Sequence, residues 1–402
     1  MFAINRYPWL RPFIIYALMI TLGILCGVSN YATLQALGVF VADIFIRIFK
    51  CISLPIIVLS IIVTLSNYSA DGLMRSVWQR TMCYTLSTTL IAAGVSCLLY
   101  LYIQPENVGL SPSMHKFTAG VHASGYLQHL SHLIPTTIFS PFIDNQVMSV
   151  LFLGIIVGIA IRAIPDDKPR ETIIQFFRGA HGLFMVITRW VVAIIPIGLF
   201  GFITSTVIQL RHGVAIKGIG EYLLVVVLAN ILQGMVILPT WLKLNGIPPW
   251  LTMRRMLPAL SLAFFSKSSV GTLPVTMNTV ETQLNIKPEI SRFVLPLCTS
   301  INMNGCAAFI FATVIFLMQN HGIHISAQTM ALWVVISTVA ALGNAGIPMG
   351  CFFLSASLLA SMNVPITLLG VILPFYGLID MLETALNVWS DSCVVKVVNE
   401  SI

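Results

Sequence analysis

The last long apolar segment of the chain reads LPFYGLIDMLETALNVWSDSCVVKVV from Leu373 to Val398. It is long enough to cross a bilayer as a helix, yet it carries three carboxylates, Asp380, Glu383 and Asp391. At about 100° per residue, Asp380, Asn387 and Asp391 fall within roughly 40° of one another, and Glu383 lies about 60° to one side. A charge at bilayer depth is costly unless it is paired, so this polar helix face indicates a functional site.

The composition of the whole chain is that of a membrane protein. Of its 402 residues, 57% are hydrophobic and 9% are charged, whereas about 25% of residues are charged in soluble proteins. The apolar runs are long and near-continuous, unlike the alternating segments of about ten residues that build a transmembrane β-barrel. The sequence therefore predicts an all-α polytopic membrane protein surrounded by lipid.

The net charge of the chain is +7, and the distribution of its basic residues indicates the orientation in the membrane. The basic residues form no single run with interleaved aromatics, so no nucleic-acid partner is expected. With a cytoplasmic N-terminus, most of them fall at the cytoplasmic ends of the predicted spans, as the positive-inside rule requires.

Residues 1–245 contain six long apolar segments, which we interpret as the first six spans. A polar stretch at residues 104–146 is expected to be an external loop with solvated histidines, at His115, His122, His129 and His132. The six predicted spans are Pro12–Val28, Leu34–Ser66 with an interruption at Pro55, Met82–Ile103, Val147–Ile164, Ile173–Gln209 and Glu221–Leu244.

Residues 246–402 differ, because small and polar residues break their apolar segments at the centre, at residues 265–274, 299–305 and 342–348. Irregular backbone at bilayer depth persists only where it is buried in protein or lines a cavity. The arms beside the first and third breaks are too short to span a bilayer. We therefore predict two re-entrant helical hairpins, at Leu257–Thr282 and Ala327–Met362, built as repeats with the binding site between them.

The eight cysteines include no C-x-x-C pair, so neither a zinc site nor a disulfide framework is expected. Most are interpreted as small core residues. They are Cys26, Cys51, Cys83, Cys97, Cys298, Cys306, Cys351 and Cys393.

Several motifs resemble the dicarboxylate/amino acid:cation symporter family, which includes glutamate and aspartate transporters. They occur in order over nearly the whole chain: PIIVLS at 55–60, IPIGLF at 195–200, SSVGTLPVTM at 268–277, FVLP at 293–296, NMNG at 302–305, AGIP at 345–348, and Asp380, Asn387 and Asp391. The resemblance implies eight transmembrane helices plus two re-entrant hairpins, inverted repeats and a glutamate-transporter-like elevator fold. It also implies a homotrimer in a bacterial inner membrane, with a scaffold from the first six spans and a transport core at residues 246–402.

The resemblance assigns roles at the substrate site. Ser268, Ser269 and Asn387 would bind the α-carboxylate of an amino acid, and Asp380 would clasp its α-amino group. The backbone around Gly346 would close over the substrate. The full implied set is Ser268, Ser269, Cys306, Gly346, Asp380, Glu383, Thr384 and Asn387.

It also implies three sites for coupling cations and no other cofactor, with Na⁺ or H⁺ as the coupling ion. One site would use Asn302, Asn387 and Asp391, and another would use Thr88, Thr89, Asn302 and Asn304. A third would combine Ser300 with the backbone near Ala341, Leu342 and Asn344. From the residues alone, the hydroxyls of Thr88 and Thr89 are expected more often to bond back to their own helix than to bind a cation.

Two departures from the family pattern bear on substrate and coupling. The family's Asn-Met-Asp-Gly-Thr reads NMNGC at Asn302–Cys306, which removes a carboxylate from a cation site and a hydroxyl from the substrate site. The family's arginine for acidic substrates, three residues after Asp380, is Glu383 here. Glu383 is open to three interpretations: it binds a cationic substrate side chain, it titrates and couples transport to protons, or it pairs with Lys267.

These observations predict a symporter for an amino acid that is neutral or cationic rather than acidic. The alternatives are an acidic amino acid or C4-dicarboxylate symporter with altered coupling, an inactive family member, and a gradient-independent channel. An intramembrane aspartyl protease would need two aspartates on adjacent spans, but Asp380 and Asp391 share one helix, about 16 Å apart by rise. No enzyme activity is therefore expected.

Overall fold

The computed structural model describes residues 10–29, 31–66, 72–108, 134–143, 147–211, 216–344, 346, 349–362 and 364–401. Over these residues the chain forms helices and no strands, as the composition predicts. The four histidines of the expected external loop lie outside the described residues.

The helices of the first part agree with the six predicted segments in order. They are α1 Leu10–Val28, α2 Ala32–Ser66, α3 Gly72–Ile103, the short α4 Ser140–Ile143, α5 Val147–Ala163, α6 Asp167–Arg211 and α7 Ile216–Leu232, which a π-helical turn at Gln233–Ile237 joins to α8 Leu238–Leu244. Several helix boundaries differ from expectation, and α6 and α7 begin before the predicted Ile173 and Glu221. Helix α2 continues through Pro55, although a proline there removes one backbone donor and crowds the preceding turn. Helix α3 begins ten residues before Met82, where Arg75 and Arg80 hide its first turns in the hydropathy pattern.

The second part contains both predicted hairpins and the predicted break between them. Its helices are α9 Pro249–Ser266, α10 Ser269–Gln283, α11 Pro288–Ile301, α12 Asn304–Asn320, α13 Ala327–Ala341, α14 Gly350–Ser361 and α15 Thr367–Glu400. Helices α9 and α10 pack side by side as hairpin one, and α13 and α14 form hairpin two. Among the described residues, four helical stretches are long and apolar enough to cross a bilayer: Arg75–Ile103, Lys217–Leu244, Pro288–Asn320 with its break, and Leu368–Glu400.

The helices pack in two groups that do not follow chain order. Helices α1, α2, α5 and α6 pack on one another, whereas α3 and α7 pack against α12 in the second part. Helices α2 and α6 cross closely, because a Cβ at Gly201 would lie 2.6 Å from the backbone nitrogen of Ala42.

Helix α12 is the centre of the second group. Every residue from Asn304 to Met318 is buried, and helices α3, α7, α13, α14 and α15 surround it. A helix that is apolar on all sides requires such complete enclosure. The first turn of α12 therefore lies inside the protein, beside the middle of α15, where the Gly305 N–H donates to the Asn387 side chain.

Candidate functional site

A small buried pocket lies where the two hairpin tips and the break before α12 meet the middle of α15. Of the substrate residues expected from the sequence, all except Ser268 line it. The lining residues are Ser269, Met303, Cys306, Asn344, Gly346, Cys351, Asp380, Glu383, Thr384 and Asn387. Met303, Asn344 and Cys351 were absent from the expected substrate set.

The two hairpin tips touch across this pocket. Ser268 caps α10, since its Oγ accepts from the backbone N–H of Gly271 at 3.0 Å, and the same hydroxyl donates to the carbonyl of Gly346 at 3.1 Å. Ser269 Oγ donates to the carbonyl of Thr299 at 3.3 Å. Ser268 thus closes the pocket by joining the tips, and Ser269 forms part of its wall.

Asp380 holds the tip of hairpin two. Its Oδ2 accepts from the backbone N–H of Met349 at 3.1 Å, and the side chain is 4% exposed. Thr384 donates its hydroxyl to the Asp380 carbonyl at 2.7 Å, within the same helix. The carboxylate of Asp380 is therefore fixed towards the pocket with capacity for a cationic partner.

Glu383 is 1% exposed, and only one of its two carboxylate oxygens has a hydrogen-bond partner among the described residues. Its Oε2 accepts from the hydroxyl of Tyr376 at 3.1 Å, while its Oε1 has no hydrogen-bond partner among the described residues. The pairing of Glu383 with Lys267, one of the three interpretations, is not found in this structure. The Lys267 ammonium lies instead 3.6 Å from the position of a Cβ on Gly377, six residues before Glu383, and it interacts electrostatically with Asp380.

Two cysteines correct the expectation of unpaired core residues. Cys306 and Cys351 form a disulfide, with their Cα atoms 5.3 Å apart. They are 45 residues apart in sequence, and only the meeting of the first turns of α12 and α14 brings them together. The other six cysteines are free.

A second polar cluster surrounds the break before α12 and joins four helices. Asn302 donates through Nδ2 to Asp391 Oδ1 at 2.9 Å, and its Oδ1 accepts from Thr88 at 3.2 Å. Asn304 Nδ2 donates to Asn302 Oδ1 at 2.9 Å, and Asn304 Oδ1 accepts from Gln233 at 2.7 Å. Four residues expected as cation ligands, Thr88, Asn302, Asn304 and Asp391, thus form one network.

Two buried oxygens of this cluster, Gln233 Oε1 and Asp391 Oδ2, have no hydrogen-bond partner in the described structure. The hydroxyl of Thr89, next to Thr88 in sequence, is also buried without a partner. Buried polar groups are normally satisfied, so a group of unpaired oxygens beside a buried carboxylate fits a hard cation such as sodium. The residues present are therefore suited to the coupling ion that the sequence leads us to expect.

The remaining expected cation ligands lie elsewhere. Asn387 accepts the Gly305 N–H through Oδ1 at 2.9 Å, and its Nδ2 faces Met303 Sδ at 3.5 Å, so it belongs to the substrate pocket. Ser300 is half-buried in the last turn of α11, outside the network. Conversely, Gln233 and Ser390 belong to the cluster although neither was expected. The one sequence signal for Gln233 was a polar residue inside an apolar span.

Replacing Gly346 with alanine is expected to lower transport at least about tenfold. Gly346 has φ +64°, and a Cβ there would lie 2.5 Å from Ser269 Oγ and 2.8 Å from the Thr299 carbonyl. The left-handed backbone alone costs an alanine about 1–2 kcal/mol, and the clash would keep the hairpin tips apart. Gly322→Ala is the matched control, because Gly322 has φ +75° and no atom within 4 Å of its Cβ position. Equal loss of uptake in both variants would contradict the tip-closure argument.

Comparison with known proteins places these observations in context. A sequence model of the sodium:dicarboxylate symporter family matches residues 10–401. The human neutral amino acid transporter B(0) is 25% identical over 410 residues, which cover 91% of this chain and 75% of the relative. The human neutral amino acid transporter A is 22% identical, with coverages of 92% and 79%. The proton/glutamate-aspartate symporter of Escherichia coli (strain K12) is 25% identical over 366 residues, with coverages of 89% and 83%.

Proposed function

Because the chain belongs to the sodium:dicarboxylate symporter family, we propose that it takes up a neutral amino acid together with sodium ions or protons. It is a membrane transporter and not an enzyme. The observation that carries the choice of substrate is Glu383, a buried carboxylate in the pocket wall with one unpartnered oxygen. Glu383 supplies no positive charge for a second carboxylate on the substrate: in its ionised form it repels that carboxylate in a site of low dielectric, and in its protonated form it offers only a neutral hydrogen bond.

Asp380 is proposed to bind the substrate ammonium. A desolvated ammonium requires a carboxylate partner, and Asp380 is buried in the pocket wall. The substrate carboxylate would be held by Ser269 and by the Asn387 amide. That amide now faces the sulfur of Met303, which is a weak acceptor, so its donor capacity remains available.

Glu383 is proposed to be a proton site. With the Lys267 pairing not found, a proton and a cationic substrate side chain are the remaining interpretations. The relatives named as neutral amino acid transporters favour a substrate without a charged side chain. An anionic carboxylate buried with one hydrogen bond and no cation is costly, and a bound proton removes that cost.

The coupling cation is proposed to bind in the cluster of Thr88, Thr89, Asn302, Asn304 and Asp391. The unpaired oxygens of Thr89 and Asp391 support this assignment. Asn304 occurs where the family has an aspartate, so the cluster holds a single carboxylate and is suited to one cation. Additional cation sites at Ser300 and Asn387 remain part of the family expectation.

The architecture is proposed to follow the family: eight spans, two re-entrant hairpins, an elevator movement and a homotrimer in a bacterial inner membrane with a cytoplasmic N-terminus. The packing of α1, α2, α5 and α6 on one another supports their role as a scaffold, against which α14 and α15 pack through α2 and α6. Helices α3 and α7 pack with the second part. They would therefore move with it, although the sequence placed them among the scaffold spans.

Uptake of labelled amino acids into proteoliposomes tests the function. We expect accumulation of neutral amino acids such as alanine or serine, driven by an imposed sodium or proton gradient and abolished by an ionophore that collapses it. The panel should include lysine, aspartate and succinate. Robust uptake of aspartate or succinate would contradict the assigned specificity, and flux that ignores both gradients would indicate a channel.

A further inference from the structure

The disulfide between Cys306 and Cys351 crosses the wall of the substrate pocket. Cys306 lies in the first turn of α12, which is fixed at the centre of the molecule, and Cys351 lies in the first turn of α14, the second arm of hairpin two. Both side chains are at most 2% exposed. The bond therefore joins the enclosed helix α12 to the segment that covers the pocket.

The surroundings of the two sulfurs belong to the binding site. Asn344 donates through Nδ2 to Cys306 Sγ at 2.6 Å and to Cys351 Sγ at 3.3 Å. A carboxylate oxygen of Glu383 lies within 4.8 Å of both sulfurs. The disulfide, the hairpin-two tip and the carboxylate that we assign to proton binding are thus in direct proximity.

Several links between described residues hold the tip of hairpin two in its present position. The Met349 N–H donates to Asp380, Ser268 donates to the Gly346 carbonyl, and Asn344 donates to Cys306 Sγ. The disulfide adds a covalent link. The free space left in the pocket accommodates about one water molecule. An amino acid therefore requires the tip to move away from α12, and hydrogen bonds can exchange with water during that movement.

We propose that Cys306 and Cys351 are a reversible modification site, whose oxidation locks hairpin two over the substrate pocket and whose reduction releases it. This proposal rests on the proposed transport function, whose substrate site it regulates. The disulfide is the one link across the pocket that thermal motion cannot open, so its redox state decides whether the tip can move.

The oxidation is an exchange with a small disulfide such as oxidised glutathione. With the hairpin open, the thiolate of one cysteine attacks a sulfur of the oxidant, forms a mixed disulfide and releases one glutathione thiol. The thiolate of the second cysteine then attacks the sulfur of the first and releases the second glutathione thiol. Two protein thiols lose two electrons and two protons, and one glutathione disulfide becomes two thiols. A dithiol reductant reverses both steps.

Uptake by one preparation in its two redox states tests the lock. Full-length protein in proteoliposomes would be treated with dithiothreitol or with oxidised glutathione, and uptake of a neutral amino acid then measured after removal of the reagent. We expect uptake at least about tenfold lower in the oxidised state, since the rate follows the fraction of protein able to open. For Cys351→Ala, uptake after reduction divided by uptake after oxidation should be close to one. This variant is compared only with itself, because Cys351 lines the pocket.

Cys83→Ser is the matched control, because Cys83 is free, exposed and outside the pocket. It should keep the wild-type ratio between the two treatments. A ratio that is lost in Cys83→Ser and kept in Cys351→Ala would assign the redox effect to Cys83 and overturn the proposal.

Two readouts that do not depend on transport separate this proposal from the proposed function. Mass spectrometry after alkylation with N-ethylmaleimide should find Cys306 and Cys351 modified in the reduced wild type and protected, without added glutathione, in the oxidised wild type. In Cys351→Ala no internal disulfide can form, so oxidation should leave Cys306 free or bound to glutathione. Amide hydrogen exchange of residues 349–362 should be slower in the oxidised wild type. Equal exchange and equal uptake in both states, with the disulfide verified by mass, would overturn the lock and leave the symporter intact. Absence of uptake in both states, with slower exchange on oxidation, would contradict the transport function alone.

Discussion

Replacing Asp380 with asparagine is expected to reduce uptake at low substrate concentration by about 100-fold or more. Asp380 is 4% exposed, and it faces the pocket in which we place the substrate ammonium. Removing one partner of a buried charge pair costs about 3–5 kcal/mol, and every 1.4 kcal/mol corresponds to about tenfold in affinity. Asparagine keeps the size of the side chain and an oxygen that accepts from Met349, so the loss isolates the missing charge.

Asp167→Asn provides the control for this prediction. Asp167 lies in the charged link between two predicted spans, is exposed and pairs with Arg170. An exposed pair of this kind contributes about 0–1 kcal/mol, so uptake should change less than about twofold. Retention of normal substrate affinity by Asp380→Asn, with uptake intact, would exclude Asp380 as the ammonium partner.

The three carboxylates of α15 differ in what surrounds them, and this difference assigns their roles. Asp380 accepts a backbone N–H from the hairpin-two tip. Glu383 accepts from Tyr376, and Asp391 accepts from the Asn302 amide. Every one of these donors is neutral. Among the described residues, none of the three acids forms a salt bridge with a lysine or arginine. They can therefore bind and release cations during transport, as a cation-coupled carrier requires.

The sequence predicted the hairpins and the broken helix well because their signals are local. Lys267 ends α9 in a left-handed conformation and Ser268 caps α10, which is the turn chemistry expected of a Ser-rich break. The break at Asn302 and Met303 likewise follows from polar residues in an apolar run. Such breaks determine where helix ends lie, and helix ends supply the free backbone groups of a binding site.

The features that the sequence did not predict depend on contacts between distant segments. Cys306 and Cys351 show no recognisable spacing, and only the packing of α14 beside α12 pairs them. Gln233 reaches the cation cluster from another helix, with no nearby motif to indicate it. Glu383 was assigned three roles from sequence, and its contact with Tyr376 and its unpartnered oxygen reduced them to two.

Replacing Glu383 with glutamine is expected to abolish the pH dependence of uptake while neutral amino acids are still transported. Below saturation, uptake coupled to one proton changes by up to about tenfold per pH unit, because one binding proton is linked to each cycle. Glutamine has the same shape and can still accept from Tyr376, but it cannot exchange a proton. The measurement is the initial rate of alanine uptake from pH 5.5 to pH 8.0, at a fixed sodium gradient.

Glu106→Gln makes the same chemical change far from the pocket, at an exposed ion pair with Lys217, and should keep the wild-type pH profile. If Glu383→Gln keeps that profile and loses affinity for lysine, the carboxylate contacts a cationic side chain and the proton role is excluded. A flat profile in Glu383→Gln, with lysine binding unaltered, leaves proton binding as the role of the carboxylate. The position at which the family has an arginine for acidic substrates would then set both the choice of a neutral substrate and the use of protons, because a buried acid supplies no positive charge to a second carboxylate and needs a proton to offset its own burial.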